Sequence, residues 1–498
     1  MLFNSYIFIL IFLPLTLLGW YILNSHKLYT GAKYFLAGMS LWFYGYLNPS
    51  YLLVFLASIL GNYLLSYLMK FANSKKSARI CLVTGIVFNL GLLFYFKYFD
   101  FFISNINAVF KTDFNLKYIL LPLGISYFTF RQIAFIVDRC TGKVQHYAFA
   151  DYLSFATFFP QLVAGPITLY SELIPQFEDT ANRGFNADNF AKGITLFVLG
   201  LSKKVLLADM LALPVNFAFA NDYILDTPTT ILIAIAYAFE LYFDFSGYSD
   251  MAMGLGMMFN IELPVNFNSP FKSLSQRELW QRWHITLTRF FTRYVYIPLG
   301  GSRKGKTRTL INVFIVFLLS GLWHGENWTF VVWGILQGIM VIWDNLGIVG
   351  VRRESEKIIP RIAIPGWLGW MTTFAGFVLS FVFFRSDSIA QALQMFKNIG
   401  MRKVTGVIYK VVAALDIPEF YVIRQALDMV NEDWLKYAYL VLFLLLLLIS
   451  AFIISRKNAV EIIREKPLSK KMCIVTVVLF AWCVISFSQV STFIYFNF

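Results

Sequence analysis

The stretch Ser320–Trp328 holds the side chain best suited to chemistry, His324, with a tryptophan on either side of it. It joins two apolar runs, residues 310–322 and 329–343. An imidazole titrates near neutrality, so it can take a proton from an attacking hydroxyl or thiol and return it to a leaving group. The alternative is a histidine that only ties two helix ends together through hydrogen bonds. The residues alone leave both interpretations open.

A second histidine, His284, lies in Gln281–Leu287, within a segment rich in arginine and aromatic residues. By pattern alone it is an interfacial histidine whose hydrogen bonds are satisfied by its neighbours. Beside His324 it gains a second interpretation, because another polar group can orient a substrate or stabilise a developing oxyanion.

The basic residues around His284 suggest a site for an anionic cofactor. Guanidinium groups bind phosphates, and aromatic faces bind an adenine ring. The candidate residues are Arg277, Arg282, Trp283, Arg289 and Arg293. For any single arginine, membrane topology and lipid headgroups explain the charge more simply.

Three carboxylates, Glu240, Asp244 and Asp250, interrupt an otherwise apolar stretch. Glu240 and Asp244 are four residues apart and therefore share one helix face. A carboxylate facing lipid is costly, so these groups should face the bundle or a water-filled cavity, and Asn327 is a further candidate for the same lining. The favoured alternative is that they pair with arginines such as Arg131 or Arg289 and hold the fold together.

The last six residues, 493–498, place Tyr495 almost at the chain end. An aromatic belt at the membrane surface explains this tyrosine. A tail that carries a nucleophilic phenol is the alternative.

The composition is that of a polytopic membrane protein. Of 498 residues, 58% are hydrophobic and only 14% charged, and the mean hydropathy is +0.64. The net charge of +14 comes from basic loops between apolar runs, as the positive-inside rule requires, so we expect no nucleic-acid partner. The four cysteines lie singly and without metal-ligand spacing, and the sequence predicts neither disulfides nor a metal site.

The hydropathy pattern predicts an all-α bundle of about 12 transmembrane helices. The predicted spans are residues 2–23, 34–47, 50–69, 80–99, 118–137, 193–211, 231–258, 309–323, 328–346, 363–384, 437–455 and 473–492. The basic loops put both termini and the turn that carries His324 on the outer side.

Three stretches depart from simple spans. Residues 158–166 are apolar but contain Pro160, Gly165 and Pro166, which predicts a re-entrant segment buried in protein. Residues 278–297 alternate arginines with aromatic side chains and predict an interfacial helix. Lys203 and Lys204 fall inside a predicted span, so either they snorkel to an interface or the span boundary is wrong.

The predicted organisation has three parts. Residues 1–348 form the transmembrane core, and residues 349–472 add further spans around an external amphipathic insert between Arg385 and Lys436. Residues 473–498 form a last span with the tyrosine-bearing tail.

Six motifs appear in an order that resembles the bacterial membrane-bound O-acyltransferases, especially the membrane subunits of alginate, cellulose and peptidoglycan O-acetylation and the D-alanyl teichoic acid exporter. The motifs are Leu121–Phe130, Phe158–Pro166, Phe243–Asp250, Leu263–Asn268, Gln281–His284 and Leu322–Gly325.

The resemblance implies an acetyltransferase with a tunnel through a bacterial cytoplasmic membrane. Acetyl-CoA would be the acyl donor at the cytoplasmic mouth, with no permanently bound cofactor. His324 would act on the transfer and His284 would help position or activate the substrate. An extracellular or periplasmic esterase-like (SGNH) transferase would then acetylate a polysaccharide.

The end of the chain is similar to the small tyrosine-bearing partner peptide of the D-alanyl system, so Tyr495 is a candidate acyl relay. A bulky charged CoA ester cannot cross a bilayer cheaply, whereas a two-carbon group can follow a narrow polar path. Two alternatives remain: a D-alanyl exporter, and a transporter or flippase for a polysaccharide precursor.

Overall fold

A computed structural model describes residues 1–72, 74–145, 147–352, 360–415, 421–422, 424–425, 432–465, 467–489 and 493–494. Within these ranges the regular secondary structure is almost all helical, which confirms the predicted helical bundle. The exception is a pair of short parallel strands, β1 Val349–Val351 and β2 Ile362–Ile364, with Val349 opposite Ile362.

The first half of the chain contains helices α1 to α12, and the last of these is the long helix Thr227–Met258. Its helices are α1 Leu13–Ser25, α2 Tyr29–Gly45, α3 Pro49–Leu68, α4 Lys75–Leu93, α5 Phe99–Phe110, α6 Ile125–Cys140, α7 Phe149–Thr157, α8 Phe159–Leu162, α9 Tyr170–Glu178, α10 Ala187–Ser202, α11 Asp209–Ala220 and α12 Thr227–Met258. Wider π-helical turns precede α1 (Phe8–Phe12), join α4 to α5 (Phe94–Tyr98) and join α10 to α11 (Lys203–Ala208).

The second half begins with two short helices, α13 Gln276–Arg282 and α14 Ile285–Phe291, and a π-helical turn, Thr292–Tyr296. It continues with α15 Lys306–His324, α16 Trp328–Leu346, α17 Gly366–Arg385, α18 Ile389–Gly400, α19 Ile408–Val412, α20 Glu432–Ser455, α21 Ala459–Glu465 and α22 Lys470–Ile485.

Eight helical stretches in the described part of the chain are long and apolar enough to cross a membrane. They are Phe8–Ser25, Pro49–Phe71, Lys75–Phe110, Thr227–Met258, Lys306–His324, Trp328–Leu346, Gly366–Arg385 and Trp434–Ser455. Each overlaps a span predicted from hydropathy.

The four other predicted spans, 34–47, 118–137, 193–211 and 473–492, correspond to shorter or interrupted helices. The prediction that one of them starts at residue 118 is wrong. Residues 111–124 are not helical, and α6 begins after Gly124, which adopts the left-handed conformation with φ of 69°. Such a conformation breaks a helix and favours glycine.

Helices α10 and α12 cross at backbone contact because glycines face each other. A Cβ atom added to Gly193 would lie 2.6 Å from the carbonyl oxygen of Gly254, and one added to Gly200 would lie 2.6 Å from that of Gly247. Small residues permit this close approach between helices in membranes. The crossing brings the end of α10 against the carboxylates of α12.

The lysines at this crossing do not snorkel to an interface, so that prediction is wrong. Lys203 pairs with Asp250 at 2.6 Å, and Lys204 pairs with Asp244 at 2.6 Å and with Asp209 at 2.8 Å. The Lys204 and Asp244 side chains are each only 1% exposed. A cation inside a helical bundle is tolerated because carboxylates on the neighbouring helix neutralise it.

The two irregular stretches behave differently. Residues 158–166 form the four-residue helix α8 and a bent segment, and every residue in it is buried, as a re-entrant segment inside protein requires. The prediction of one interfacial helix over residues 278–297 is wrong. The chain breaks into α13 and α14 at His284, whose φ of 44° is incompatible with a continuous helix.

Candidate active site

His324 is the last residue of α15, and it lies inside the bundle. The helix begins at Lys306, beside the basic loop that contains Arg303 and Lys304, so we name this side the basic face. Nineteen residues at about 1.5 Å each extend roughly 28 Å, so His324 lies toward the opposite face. Its side chain is 4% exposed.

Aromatic rings enclose the imidazole of His324. Its ring centroid lies 4.9 Å from that of Trp323, 5.2 Å from that of Trp333 and 5.2 Å from that of Phe384. These rings come from α15, α16 and α17, so three separate helices hold the imidazole. This packing excludes bulk water. Of the two tryptophans that flank His324 in the sequence only Trp323 contributes to it, because Trp328 is 52% exposed and packs against Phe101.

The end of α15 is held by a buried lysine that sequence reasoning missed. The ammonium of Lys97 donates to the carbonyl oxygens of Trp323 at 2.8 Å and His324 at 3.0 Å, and the hydroxyl of Tyr98 donates to that of Leu322 at 2.7 Å. A cation at a helix C-terminus satisfies the last carbonyls and opposes the helix dipole. The available signal was a lone lysine within an apolar run.

His284 lies beside His324, and the two ring centroids are 6.5 Å apart. Its side chain is fully buried, its Nδ1 lies 3.1 Å from Oδ1 of Asn266, and its ring packs edge-on against Phe245 at 4.7 Å. His284 is not part of a spanning helix. Burial lowers its pKa to about 3, so the imidazole is neutral at physiological pH. The structure thus brings together the two histidines named from the sequence.

A cavity approaches the histidines from each face. The basic-face cavity has a volume of about 360 Å³ and is lined by Arg277, Trp280, Thr309, Phe317, Ser320, Asn345 and neighbouring residues. The opposite-face cavity has a volume of about 480 Å³ and is lined by Tyr237, Glu240, Gly325, Asn327, Phe384, Arg385, Ile494 and neighbouring residues.

Aromatic side chains separate the two cavities. Trp280 lines the basic-face cavity and packs against Trp333 at 5.8 Å, and Trp333 in turn packs against His324. Phe384 contacts His324 from the other side and lines the opposite-face cavity. The imidazole and these rings therefore lie between the two cavities, and an open tunnel past them stays a prediction.

A third, much smaller cavity of about 20 Å³ touches His324 directly. Lys97, Tyr127 and Trp323 also line it. The Tyr127 hydroxyl is buried and has no hydrogen-bond partner among the described residues. A cavity of this size holds about one water molecule.

The arginines proposed from the sequence fall into two groups. Arg277 lines the basic-face cavity. Arg282 pairs with Glu278 at 3.0 Å, Arg289 with Glu172 at 2.6 Å and Arg293 with Asp138 at 2.8 Å. Trp283 is 1% exposed and packs among Phe267, Phe271 and Phe377. These four residues do not line the cavity, because they are engaged in the fold.

The carboxylates of α12 also separate by role. Asp244 and Asp250 pair with lysines of the adjacent π-helical turn, so the predicted pairing with Arg131 or Arg289 is wrong. Glu240 lines the opposite-face cavity with Asn327, whose side chain accepts from Thr329 N and donates to the Asp387 carbonyl oxygen.

The chain end reaches this same region. The backbone N–H of Ile494 donates to Asp244 Oδ2 at 3.0 Å, and the buried Phe493 ring packs edge-on against Tyr248 at 4.5 Å. Ile494 lines the opposite-face cavity. Tyr495 follows it in sequence and lies outside the described residues.

Residues 65–384 match the profile of MBOAT, the membrane-bound O-acyltransferase family. The chain belongs to this family. The resemblance read from the six motifs is confirmed, and so is the prediction that the protein is an acyltransferase enzyme. His324, His284 and both cavity linings up to Phe384 lie within the matched region.

Two relatives align with this acyltransferase over most of its length. The peptidoglycan O-acetyltransferase of Helicobacter pylori is 39% identical over 433 residues, which cover 82% of this chain and 81% of the relative. The probable alginate O-acetylase AlgI of Pseudomonas aeruginosa is 37% identical over 406 residues, covering 80% and 74%.

A more distant relative is the teichoic acid D-alanyltransferase of Streptococcus thermophilus. It is 30% identical over 281 residues, which cover 53% of this acyltransferase and 68% of the relative. Within the described ranges, no group of three or more His, Cys, Asp or Glu side chains is arranged to hold a metal ion.

Proposed function

We propose that this enzyme takes an acetyl group from acetyl-CoA at the basic, cytoplasmic face and passes it outward for O-acetylation of an extracellular polysaccharide. The observation that carries the proposal is the pair of buried histidines between two cavities that open toward opposite faces. Two relatives that align over most of the chain are named for O-acetylation. The setting is the bacterial cytoplasmic membrane.

The basic-face cavity has the chemistry that an acyl thioester needs. Aromatic and aliphatic side chains such as Trp280 and Phe317 form most of its wall, and Arg277 supplies a cation. An uncharged thioester arm fits such a wall, whereas the nucleotide phosphates stay among the basic residues of that face. The cavity extends to Ser320, which lies one helical turn before His324 on α15.

The first transfer is a nucleophilic substitution at the thioester carbonyl. The phenolic oxygen of Tyr495 forms a C–O bond with the acetyl carbon while the C–S bond breaks. His324 takes the phenolic proton and returns it to the departing thiolate. The products are free CoA thiol and an acetyl ester on the tail.

The contacts of the chain end support a role for Tyr495. Asp244 holds the backbone of Ile494, and Lys204 lies 4.7 Å above the ring of Phe493. Ile494 lines the opposite-face cavity, and Tyr495 follows it in the sequence. Contacts of charged groups with the two residues before the nucleophile would limit the positions that its phenol can take.

The second transfer moves the acetyl group from the tail to a partner. An extracellular or periplasmic esterase-like transferase would accept it and esterify a polysaccharide hydroxyl. Glu240, Asn327 and Arg385 give the opposite-face cavity a polar rim, which suits a hydrated acceptor better than a lipid.

Purified protein in proteoliposomes, supplied with radiolabelled acetyl-CoA, tests the proposal. We expect His324→Ala to lower CoA release by about 10²- to 10⁴-fold, the usual range for loss of a general acid–base group. Mass spectrometry of the parent should find acetyl on Tyr495, and Tyr495→Phe should remove it.

Tyr118→Phe is the matched control, because that tyrosine is 83% exposed and far along the chain from the tail. Full acetyl delivery by Tyr495→Phe would refute the relay. No CoA release by the parent enzyme would refute the donor.

The D-alanyl relative supports a second candidate donor. Its aligned region of 281 residues covers 53% of this chain. Supplying carrier-bound D-alanine in place of acetyl-CoA distinguishes the two donors. Membership of an acyltransferase family favours either of them over a transporter or flippase.

A further inference from the structure

The side chain of Asn266 gathers three hydrogen-bonding groups around one oxygen. Its Oδ1 lies 3.3 Å from the backbone nitrogen of Thr286, 2.9 Å from the hydroxyl of Thr286 and 3.1 Å from Nδ1 of His284. Asn266 is fully buried. It belongs to Leu263–Asn268, one of the six motifs, to which no chemical role was assigned above.

The direction of these hydrogen bonds follows from the backbone. The amide of Thr286 can only donate, so the Asn266 atom facing it is an acceptor. The Thr286 hydroxyl accepts from the backbone N–H of Ile167 at 3.0 Å, which leaves its own hydrogen for Asn266. On its other side, Nδ2 of Asn266 donates to the Ser249 hydroxyl at 3.3 Å.

Because Asn266 Oδ1 is an acceptor, Nδ1 of His284 must carry the hydrogen of that contact. A neutral imidazole has a proton on one nitrogen only. Nε2 of His284 therefore holds an unshared electron pair. It is buried and has no hydrogen-bond partner among the residues that the structure describes.

We propose that Asn266 is a positioning residue that fixes His284 in the Nδ1-protonated tautomer, so that Nε2 presents a hydrogen-bond acceptor to the acyl-transfer path. His284 then binds a donor group of the nucleophile or substrate and does not donate to an oxyanion. Which donor it meets rests on the proposed function.

The surroundings of His284 agree with this assignment. Its φ of 44° is unfavourable for a residue with a side chain, and such strain persists only where the surrounding structure over-determines it. The ring lies between Asn266 and the neighbouring His324 and Trp323, at centroid distances of 6.5 and 6.2 Å from the two rings. Donor chemistry is available nearby from the hydroxyl of Tyr127, whose ring is stacked at 6.5 Å from that of His284.

Nitrogen NMR of the full-length protein with ¹⁵N-labelled histidine tests the tautomer directly. The chain has only four histidines, and the signals lost in His284→Gln assign that residue. We expect a protonated Nδ1 and an unprotonated Nε2 in the parent. Asn266→Asp keeps an acceptor oxygen and should keep this pattern, whereas Asn266→Leu should shift the proton toward Nε2.

Asn268→Leu is the matched control, since this residue of the same segment contacts Asn458 and not the histidine. It should leave both His284 signals in place. A parent spectrum with the proton on Nε2 would overturn the inference, and so would an unchanged tautomer in Asn266→Leu. If Asn266→Leu fails to fold, the spectra of the parent and of Asn266→Asp still show which nitrogen of His284 carries the proton.

Acyl transfer gives the second readout. Loss of a residue that orients a functional histidine typically costs about 10- to 100-fold in activity. We expect that loss for Asn266→Leu and substantial rescue by Asn266→Asp, each measured on protein that thermal unfolding shows to be folded. The spectra need no turnover, so an inactive parent enzyme with the expected tautomer would refute the acetyl donor and leave the role of Asn266 intact.

Discussion

The cavities on the two sides of His324 differ in chemistry. The wall of the basic-face cavity is largely aromatic and aliphatic, with Arg277 as its ionisable side chain. The opposite-face cavity is lined by two glutamates, an aspartate and an arginine (Glu240, Glu326, Asp387 and Arg385). One suits an uncharged arm that enters from the side of the basic loops, and the other suits polar groups and water.

The two cavities also differ in the contacts of the helices that surround them. The basic-face cavity lies between α13, α14, α15 and α16, whose contacts are mostly apolar. The opposite-face cavity lies beside the ion pairs of Lys204, where the chain end is anchored through Asp244. Buried charge therefore holds the backbone at Ile494, and apolar packing surrounds the cavity at which we propose that a thioester enters.

The largest effect should come from removing the cation of this anchor. Lys204→Met leaves Asp209 and Asp244 buried without their cation, and breaking a buried pair costs about 3–5 kcal/mol. We expect a lower midpoint of thermal unfolding in detergent and loss of acetyl delivery.

Lys192→Met on the adjoining helix α10 is the control. In its pair with Asp188 the lysine is 24% and the aspartate 63% exposed, so the pair should contribute only about 0–1 kcal/mol. If both variants lost the same free energy of unfolding, the buried ion pairs with α12 would contribute no more stability than the pair of Lys192.

Filling one cavity at a time should separate the two half-reactions. Val316→Trp occupies the basic-face cavity and should lower kcat/KM for acetyl-CoA by about 10- to 100-fold, as expected when a binding pocket loses its fit. Ala212→Trp occupies the opposite-face cavity and should leave CoA release measurable while delivery falls.

Leu319→Trp controls for added bulk, because Leu319 lies on α15 beside Val316 and is 38% exposed on its outer surface. If Val316→Trp and Ala212→Trp impaired both steps equally, the assignment of one cavity to donor and the other to acceptor would be wrong.

The smallest effect should come from the arginine at the donor side. Arg277→Ala should raise KM for acetyl-CoA by about 5- to 10-fold, since one charge-assisted hydrogen bond to a phosphate contributes about 1–2 kcal/mol. Arg282→Ala is the matched comparison because its guanidinium pairs with Glu278 and lies outside the cavity. A larger rise in KM for Arg282→Ala than for Arg277→Ala would place the acetyl-CoA site near Arg282 and outside the basic-face cavity.

Local patterns predicted the parts of the molecule that depend on local properties. The apolar runs on either side of His324 became α15 and α16, and the proline- and glycine-broken stretch 158–166 became a buried irregular segment. The six motifs indicated the family. In each case a short window of residues carries the whole signal, because hydropathy and chain stiffness act locally.

Several charged residues have partners that are distant in sequence. Lys203 and Lys204 looked misplaced because Asp250 and Asp244, their partners on α12, lie 47 and 40 residues away. Arg289 and Arg293 looked like ligands for phosphate, but Glu172 and Asp138 already neutralise them. The charge of a residue does not show whether the fold brings an oppositely charged side chain beside it.

The sequence by itself determined a helical membrane acyltransferase with His324 at a helix joint, because hydropathy, composition and motif order are properties of the chain. Only the tertiary structure decided that His284 turns its Nδ1 to Asn266 and that the chain end reaches Asp244. Hydrogen bonds of this kind need distances of about 3 Å between atoms, and packing of the helices, not spacing along the chain, sets those distances.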